Sequence, residues 1–243
     1  MLKNNTGRSL YHSIKDNLLE LIKNGTYEVG SQLPTESALG KEFGVSRTTI
    51  RLALQQLEAE GLIYKVQGKG TFVAQPRINE HITPNIKSFS EQMKEAGMTS
   101  YSKVLSLDLI PATLFLAHAL DLETNDPVIK LVRLRYANDI PYQHSTSYIP
   151  WKIAPGLLQE DYSHSLFNLL KTKYNIEILK SVESIQPVLP EIKESELLDI
   201  PENTPSIRLE SYTYSKENVP IEYSTTIVRG DFANFVTVRY YNK

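Results

Sequence analysis

The chain has 243 residues, 26 Lys/Arg against 28 Asp/Glu, and a formal net charge of −2, a length that allows one large domain or two modest ones. Its hydrophobic share of 41% and charged share of 22% exclude a disordered or collagen-like chain, and with no cysteine it has no disulfide, thiolate nucleophile or Cys-based metal site. No apolar run approaches the ~20 residues that span a bilayer, and the polar residues 1–8 carry no signal-peptide pattern, so the expected location is cytoplasmic with no membrane partner. The charge is uneven. Residues 1–75 hold nine basic and seven acidic side chains, and the remainder is acidic, which points to an anionic partner for the head of the chain.

In chain order, Leu10, Ile14, Leu18, Leu21 and Ile22 form one helical stripe ended by Gly25. A second helix starts at Thr35 as N-cap and stops at Gly44. A third is capped by Ser46, carries the stripe Ile50, Ala53, Leu54 and Leu57, and ends at Gly61. Helix, tight turn, helix is a helix-turn-helix unit. Residues 62–66 and 71–74 then read as a hairpin around Gln67-Gly68-Lys69-Gly70. Residues 76–87, with Pro76 and Pro84 and no periodicity, read as a linker.

Beyond the linker, Ser88 and Glu91 have capping-box spacing before a short helix that ends at Gly97. Strands are expected over residues 104–109, 128–136, 142–149, 178–187, 206–215, 219–228 and 235–241, and helices over 112–120, 165–174 and 193–198. Hairpins are expected at Asn138-Asp139 and at Lys216-Glu217-Asn218. The fold class is α+β: a helical head (1–75), the linker (76–87) and an antiparallel-sheet body (88–243).

The third helix opens Arg47-Thr48-Thr49 and continues with Arg51. A recognition helix presents its N-terminal residues to the major groove, where Arg reads guanine and Thr contacts a phosphate or a thymine methyl. Arg47 and Arg51, one turn apart, leave the helix on one side, while Ile50 and Leu54 point inward. Lys69, between Gly68 and Gly70, can lie on the DNA backbone as a wing. The same groups would serve equally as solvated charges and an ordinary turn. In the body, alternation over 128–136 puts Arg133 and Arg135 on one strand face with Ile129 and Leu131, where they are either surface charges of an edge strand, partners of a Glu within the sheet, or buried cations that need an anion. Ser88 and Ser165 open helices as caps, and such helix starts also attract anions. Glu222 is either an ordinary strand charge or a hydroxyl-binding carboxylate.

The segments Leu33-Pro34-Thr35-Glu36-Ser37, Phe43-Gly44-Val45-Ser46-Arg47-Thr48-Thr49-Ile50-Arg51, Gly61-Leu62-Ile63 and Gly68-Lys69-Gly70-Thr71-Phe72-Val73 resemble the winged helix-turn-helix of GntR-type bacterial regulators. The resemblance implies that Arg47, Thr48, Thr49, Arg51 and Gly68 contact operator DNA, with Ser46, Lys69 and Gly70 completing the expected interface. Ser37 stands where the family often has Arg. The body, through Phe89, Arg133-Leu134-Arg135, Ala137-Asn138-Asp139-Ile140-Pro141, Ile149-Pro150 and Arg229-Gly230-Asp231, resembles the UTRA effector domain of the HutC subfamily, similar in fold to chorismate lyase. This implies a homodimeric repressor that binds double-stranded operator DNA and is released by a small, phosphorylated sugar-like effector, as in repressors of amino-sugar utilisation. It implies an effector site of Phe89, Ser90, Arg133, Arg135 and Ser165 at the phosphate and Glu222 at the sugar, with Ser88 alongside. Ser145 and Val228 replace a Glu and a Tyr of those sensors, which implies a shifted sugar preference. Neither metal nor cofactor is expected. Two other functions compete: an enzyme on the lyase-like fold, for which the five histidines show no metal spacing and no catalytic motif occurs, and a DNA-binding protein whose body only dimerises.

Overall fold

The computed structural model describes residues 10–74, 77–82, 87–162 and 165–239. The chain divides after Arg77 into two compact units. The polar residues 1–8 and the end of the strand expected to reach residue 241 lie outside the described residues.

In the first unit, α1 (Leu10–Lys23), α2 (Glu36–Phe43) and α3 (Arg47–Ala59) follow the apolar stripes of the sequence. Thr35 caps α2 by accepting the Ala38 N–H, and Ser46 caps α3 by accepting the Thr49 N–H. Such a cap contributes about 1 kcal/mol. Gly44 ends α2 in the left-handed region, φ 67°, which a residue without Cβ adopts at little cost. Ile14, Leu18, Leu39, Ile50, Leu54 and Leu57 meet in one core. The antiparallel hairpin of β1 (Ile63–Val66) and β2 (Gly70–Val73) closes it with Ile63 and Val73.

The second unit holds a six-stranded antiparallel sheet. Its strands are β4 (Ser100–Pro111), β5 (Pro127–Ala137), β6 (Ile140–Pro150), β7 (Ile178–Val188), β8 (Ser206–Ser215) and β9 (Pro220–Arg229), in the order β4-β5-β6-β9-β8-β7. Asn138 and Asp139, both at positive φ, make the tight β5–β6 turn that their short polar side chains tolerate. One sheet face packs on α5 (Leu114–Leu120) through Val128 and Tyr223, and on α7 (Ile192–Leu198) through Leu134 and Ile227. The other packs on α6 (Leu166–Tyr174) through Ile129, Leu131 and Ile149, and on α4 (Phe89–Glu95) through Val228. Between α4 and α6 that second face turns polar, and this is where Arg133 and Arg135 lie.

The linker reading needs correction. Within residues 76–87, Ile78–His81 form a strand, β3, that pairs in parallel with β10 (Ala233–Val236). Ile78 is buried with Phe232 and Ala233 in the body's core. The partner strand lies 155 residues along the chain, so no local pattern announces the pairing.

Candidate functional site

A cavity of about 190 Å³ opens on the polar sheet face, and Ser88, Phe89, Ser90, Arg133, Arg135, Ser145, Ser165 and Glu222 all line it. Strand register brings them together. Arg133 stands opposite Ser145, Ser145 opposite Thr226, and Glu222 opposite Thr213. Side chains two apart share a face, so these polar groups form one patch spread over β5, β6, β9 and β8.

The cationic end is under-satisfied. Arg133 is 3% exposed and its Nε has no hydrogen-bond partner among the described residues. Burial pulls its guanidinium below the ordinary range, opposed chiefly by the charge of Glu222. Arg135 lies with its guanidinium 5.5 Å from the ring centre of Phe89 and donates from Nη1 to Oε1 of Gln143 at 3.2 Å. Burial, reinforced by Arg133 beside it, holds Arg135 down at about 9. A buried and a half-buried cation, with few acceptors among the described residues, have the chemistry to hold an anion, because Arg forks match paired oxygens.

Around them are hydroxyls. Thr226 donates to Ser145 at 3.2 Å and Thr213 to Oε2 of Glu222 at 3.4 Å, and Ser181, Ser211 and Ser224 complete this side. The serines at helix starts are partly committed elsewhere. Ser88 donates to Oε2 of Glu91 at 2.7 Å and accepts the Glu91 N–H in the capping box, which holds the Glu91 carboxyl below its usual value. Ser165 accepts the Asn168 N–H. Val228, expected at the sugar end, is instead fully buried in the cluster of Met93, Tyr142 and Phe89 and is not among the cavity's lining residues.

Glu80, Gln143, Thr213 and Thr226 also line the cavity and escaped the sequence reading. Gln143 and Thr226 lie at even spacing from Ser145 and Glu222, so the alternation that selected the arginines reaches them too. Glu80 comes from β3 and carried no such signal.

In the first unit, Arg47, Thr48 and Arg51 are exposed along α3, while Thr49 is half-buried and bonded to Ser46. Gly68, Lys69 and Gly70 are exposed at the tip of the β1–β2 wing. Gln32 fastens that tip by donating to the Lys69 carbonyl at 2.7 Å. A Cβ on Gly70 would lie 2.4 Å from the Gln32 amide nitrogen, so glycine is needed there for close approach. Among the described residues no group of side chains could hold a metal ion, and no helix is long and apolar enough to cross a membrane.

A winged helix-turn-helix joined to a sheet domain with a cationic, hydroxyl-lined cavity defines a DNA-binding transcriptional regulator. Residues 10–73 match the model of the bacterial regulatory proteins of the gntR family and residues 95–233 match the UTRA domain. The chain is 33% identical over 227 residues to the HTH-type transcriptional repressor NagR of Bacillus subtilis, covering 93% of each. It is 32% identical over 231 residues to the mannosyl-D-glycerate transport/metabolism system repressor MngR of Escherichia coli, covering 95% of this chain and 96% of that one. The crystal structure of PhnF from Mycobacterium smegmatis superposes with a TM-score of 0.71 at 26% identity, over 96% of this chain and 100% of the other. The chain belongs to the GntR family of bacterial regulators with a UTRA domain, which are regulators rather than enzymes.

Proposed function

We propose that the protein is a homodimeric, cytoplasmic repressor of a carbohydrate-utilisation operon, released from its operator by a small phosphorylated sugar-like effector. The observation that carries this reading is Arg133, buried in the lining of a hydroxyl-rich cavity with an Nε that has no partner among the described residues. A phosphate supplies the missing acceptors for Arg133 and Arg135, and the hydroxyl and carboxylate side suits a polyol. Relatives named as repressors of mannosyl-D-glycerate and fructoselysine systems support a sugar-derived ligand. Arg47, Thr48 and Arg51 on α3 read the operator, the Ser46-capped start of that helix approaches its backbone, and the wing tip Gly68-Lys69-Gly70 lies on the DNA.

Two copies on two half-sites make operator affinity sensitive to the arrangement of the DNA-binding units. An effector that prefers the wrong arrangement weakens DNA binding by linkage, and a coupling of ~2–3 kcal/mol gives roughly 30–150-fold release. The test is operator release by a panel of hexose phosphates against their unphosphorylated parents. Release by the phosphates alone supports the reading; equal release by both overturns it.

A further inference from the structure

The segment expected to be a passive linker delivers a buried carboxylate into the effector cavity. Glu80 lies on β3, three residues past Arg77, where the first unit ends. It is 6% exposed. Its Oε1 accepts from the Tyr142 hydroxyl at 2.6 Å and from Nε2 of Gln143 at 3.1 Å. The other end of the Gln143 amide accepts from Arg135. Glu80, Gln143 and Arg135 therefore form an unbroken hydrogen-bonded chain from the linker strand to the cationic end of the cavity, and all three line it.

β3 is only four residues long, and among the described residues its other ties to the body are the pairing with β10, the hydrogen bond from Asn234 to Asn79 and the burial of Ile78. The Glu80 seat is thus one of the few ties that fix the strand. It is also an uneasy seat. Burial disfavours the charged carboxylate and Glu183 adds repulsion, while Tyr142, Gln143 and Arg135 oppose these effects. An anion on Arg133 and Arg135 would compete with Gln143 for the Arg135 guanidinium, whose charge also favours the Glu80 carboxylate, and place a second negative charge in the same low-dielectric space.

We propose that Glu80 is the coupling residue of the effector site: an anion held by Arg133 and Arg135 displaces the Glu80 carboxylate and so loosens the strand that leads to the DNA-binding unit. This deepens the proposed function and rests on its phosphate reading. A ligand shifts an equilibrium only by its differential affinity for the two states. Here that difference is the repulsion, and the competition for the charge of Arg135, felt when β3 is seated and relieved when it is not. Two readouts should consequently separate. Neutralising Glu80 while keeping its shape removes the penalty on the anion and, with it, the leverage on the strand. Loss of a purely structural residue would weaken both.

The experiment uses the full-length protein and its operator, with inorganic phosphate and glucose 6-phosphate as probes, calorimetry for binding and fluorescence anisotropy for operator affinity. In Glu80→Gln both probes should bind about five- to tenfold more tightly, while the operator release they cause at saturation falls to less than a third of the wild-type factor. Tyr142→Phe, which removes one donor from the seat and keeps the ring, should bind glucose 6-phosphate more tightly and bind operator several-fold more weakly before any probe is added. Unchanged or weaker probe binding in Glu80→Gln, or wild-type release, overturns the proposal, as does wild-type behaviour of Tyr142→Phe. Loss of binding in Arg133→Ala beside wild-type behaviour of Glu80→Gln would remove the coupling alone. Failure of the wild-type protein to bind either probe would remove the phosphate reading and the coupling together.

Discussion

Arg51 on α3 donates from Nη2 to Oε2 of Glu36 on α2 across 3.3 Å, and Nη2 of Arg47 stands 3.9 Å from the same oxygen. One carboxylate thus gathers both arginines of the proposed DNA-reading face. All three side chains are partly to largely exposed, so the pairs contribute little to stability, ~0–1 kcal/mol. Their value is orientation. Glu36→Gln should leave the melting temperature nearly unchanged, strengthen binding to arbitrary DNA and lower the ratio of specific to non-specific affinity. Competition binding against random duplex measures that ratio, and an unchanged value would show that Glu36 does not orient the arginines.

Arg47 itself projects outward with a side chain 68% exposed, so its removal should not disturb the core beneath. Arg47→Ala is expected to cost about 1–3 kcal/mol of operator affinity with an intact circular dichroism spectrum. Wild-type affinity in that folded variant would take Arg47 out of base recognition.

Lys69 sits at a wing tip held from behind by Gln32. Its charge is free to meet phosphate, and a point charge on a flexible stem carries no base code. Lys69→Ala should weaken binding across many sequences and reduce the salt slope by about one unit. A changed base preference at constant slope would mean that the wing reads bases.

Burial pulls both Arg133 and Arg135 down, Arg135 to about 9, so Arg135 remains charged at neutral pH. For Arg135 the folded value lies below the unfolded one, so the folded state binds fewer protons between about 9 and about 12.5, and stability rises with pH across that window. At neutral pH the burial penalty is fully present, and an anion in the cavity offsets it. Glucose 6-phosphate should accordingly raise the melting temperature of the wild type and leave that of Arg133→Ala unmoved, while Arg133→Ala still binds operator and ignores the inducer. A thermal shift retained in Arg133→Ala would place the anion elsewhere.

Much of this was legible in the sequence because local physics decides it. Apolar stripes and Ser or Thr caps located α1 to α3, and strand alternation put Arg133 and Arg135 on the face that carries the cavity. Strand parity also places Val228 on that face, two residues beyond Thr226, but not in the cavity: α4 covers that end of the sheet, and Val228 meets Met93 instead. Glu80 was illegible for a different reason. Ile78-Asn79-Glu80-His81 has too few residues for a period, and its strand exists only because a distant segment, residues 233–236, pairs with it.

Glu80 also gives the protein a pH signature. Burial raises its carboxyl above the ordinary value of 4.5, with Glu183 in support and Tyr142, Gln143 and Arg135 in opposition. The folded state therefore holds the proton more tightly than the unfolded state. Stability from this group is present at the acid end and is lost as pH rises from about 4.5 through the raised folded value. Glu80→Gln cannot titrate and keeps the acceptor oxygen for Tyr142 and Gln143. Subtracting the two melting curves cancels the other carboxylates, since both proteins share them. The wild type should match the variant near pH ~4 and fall progressively below it toward pH ~7. A difference that stays flat across this range would mean that Glu80 bears no extra cost of ionisation in its seat, and that the repulsion invoked for the anion has no counterpart in the free protein.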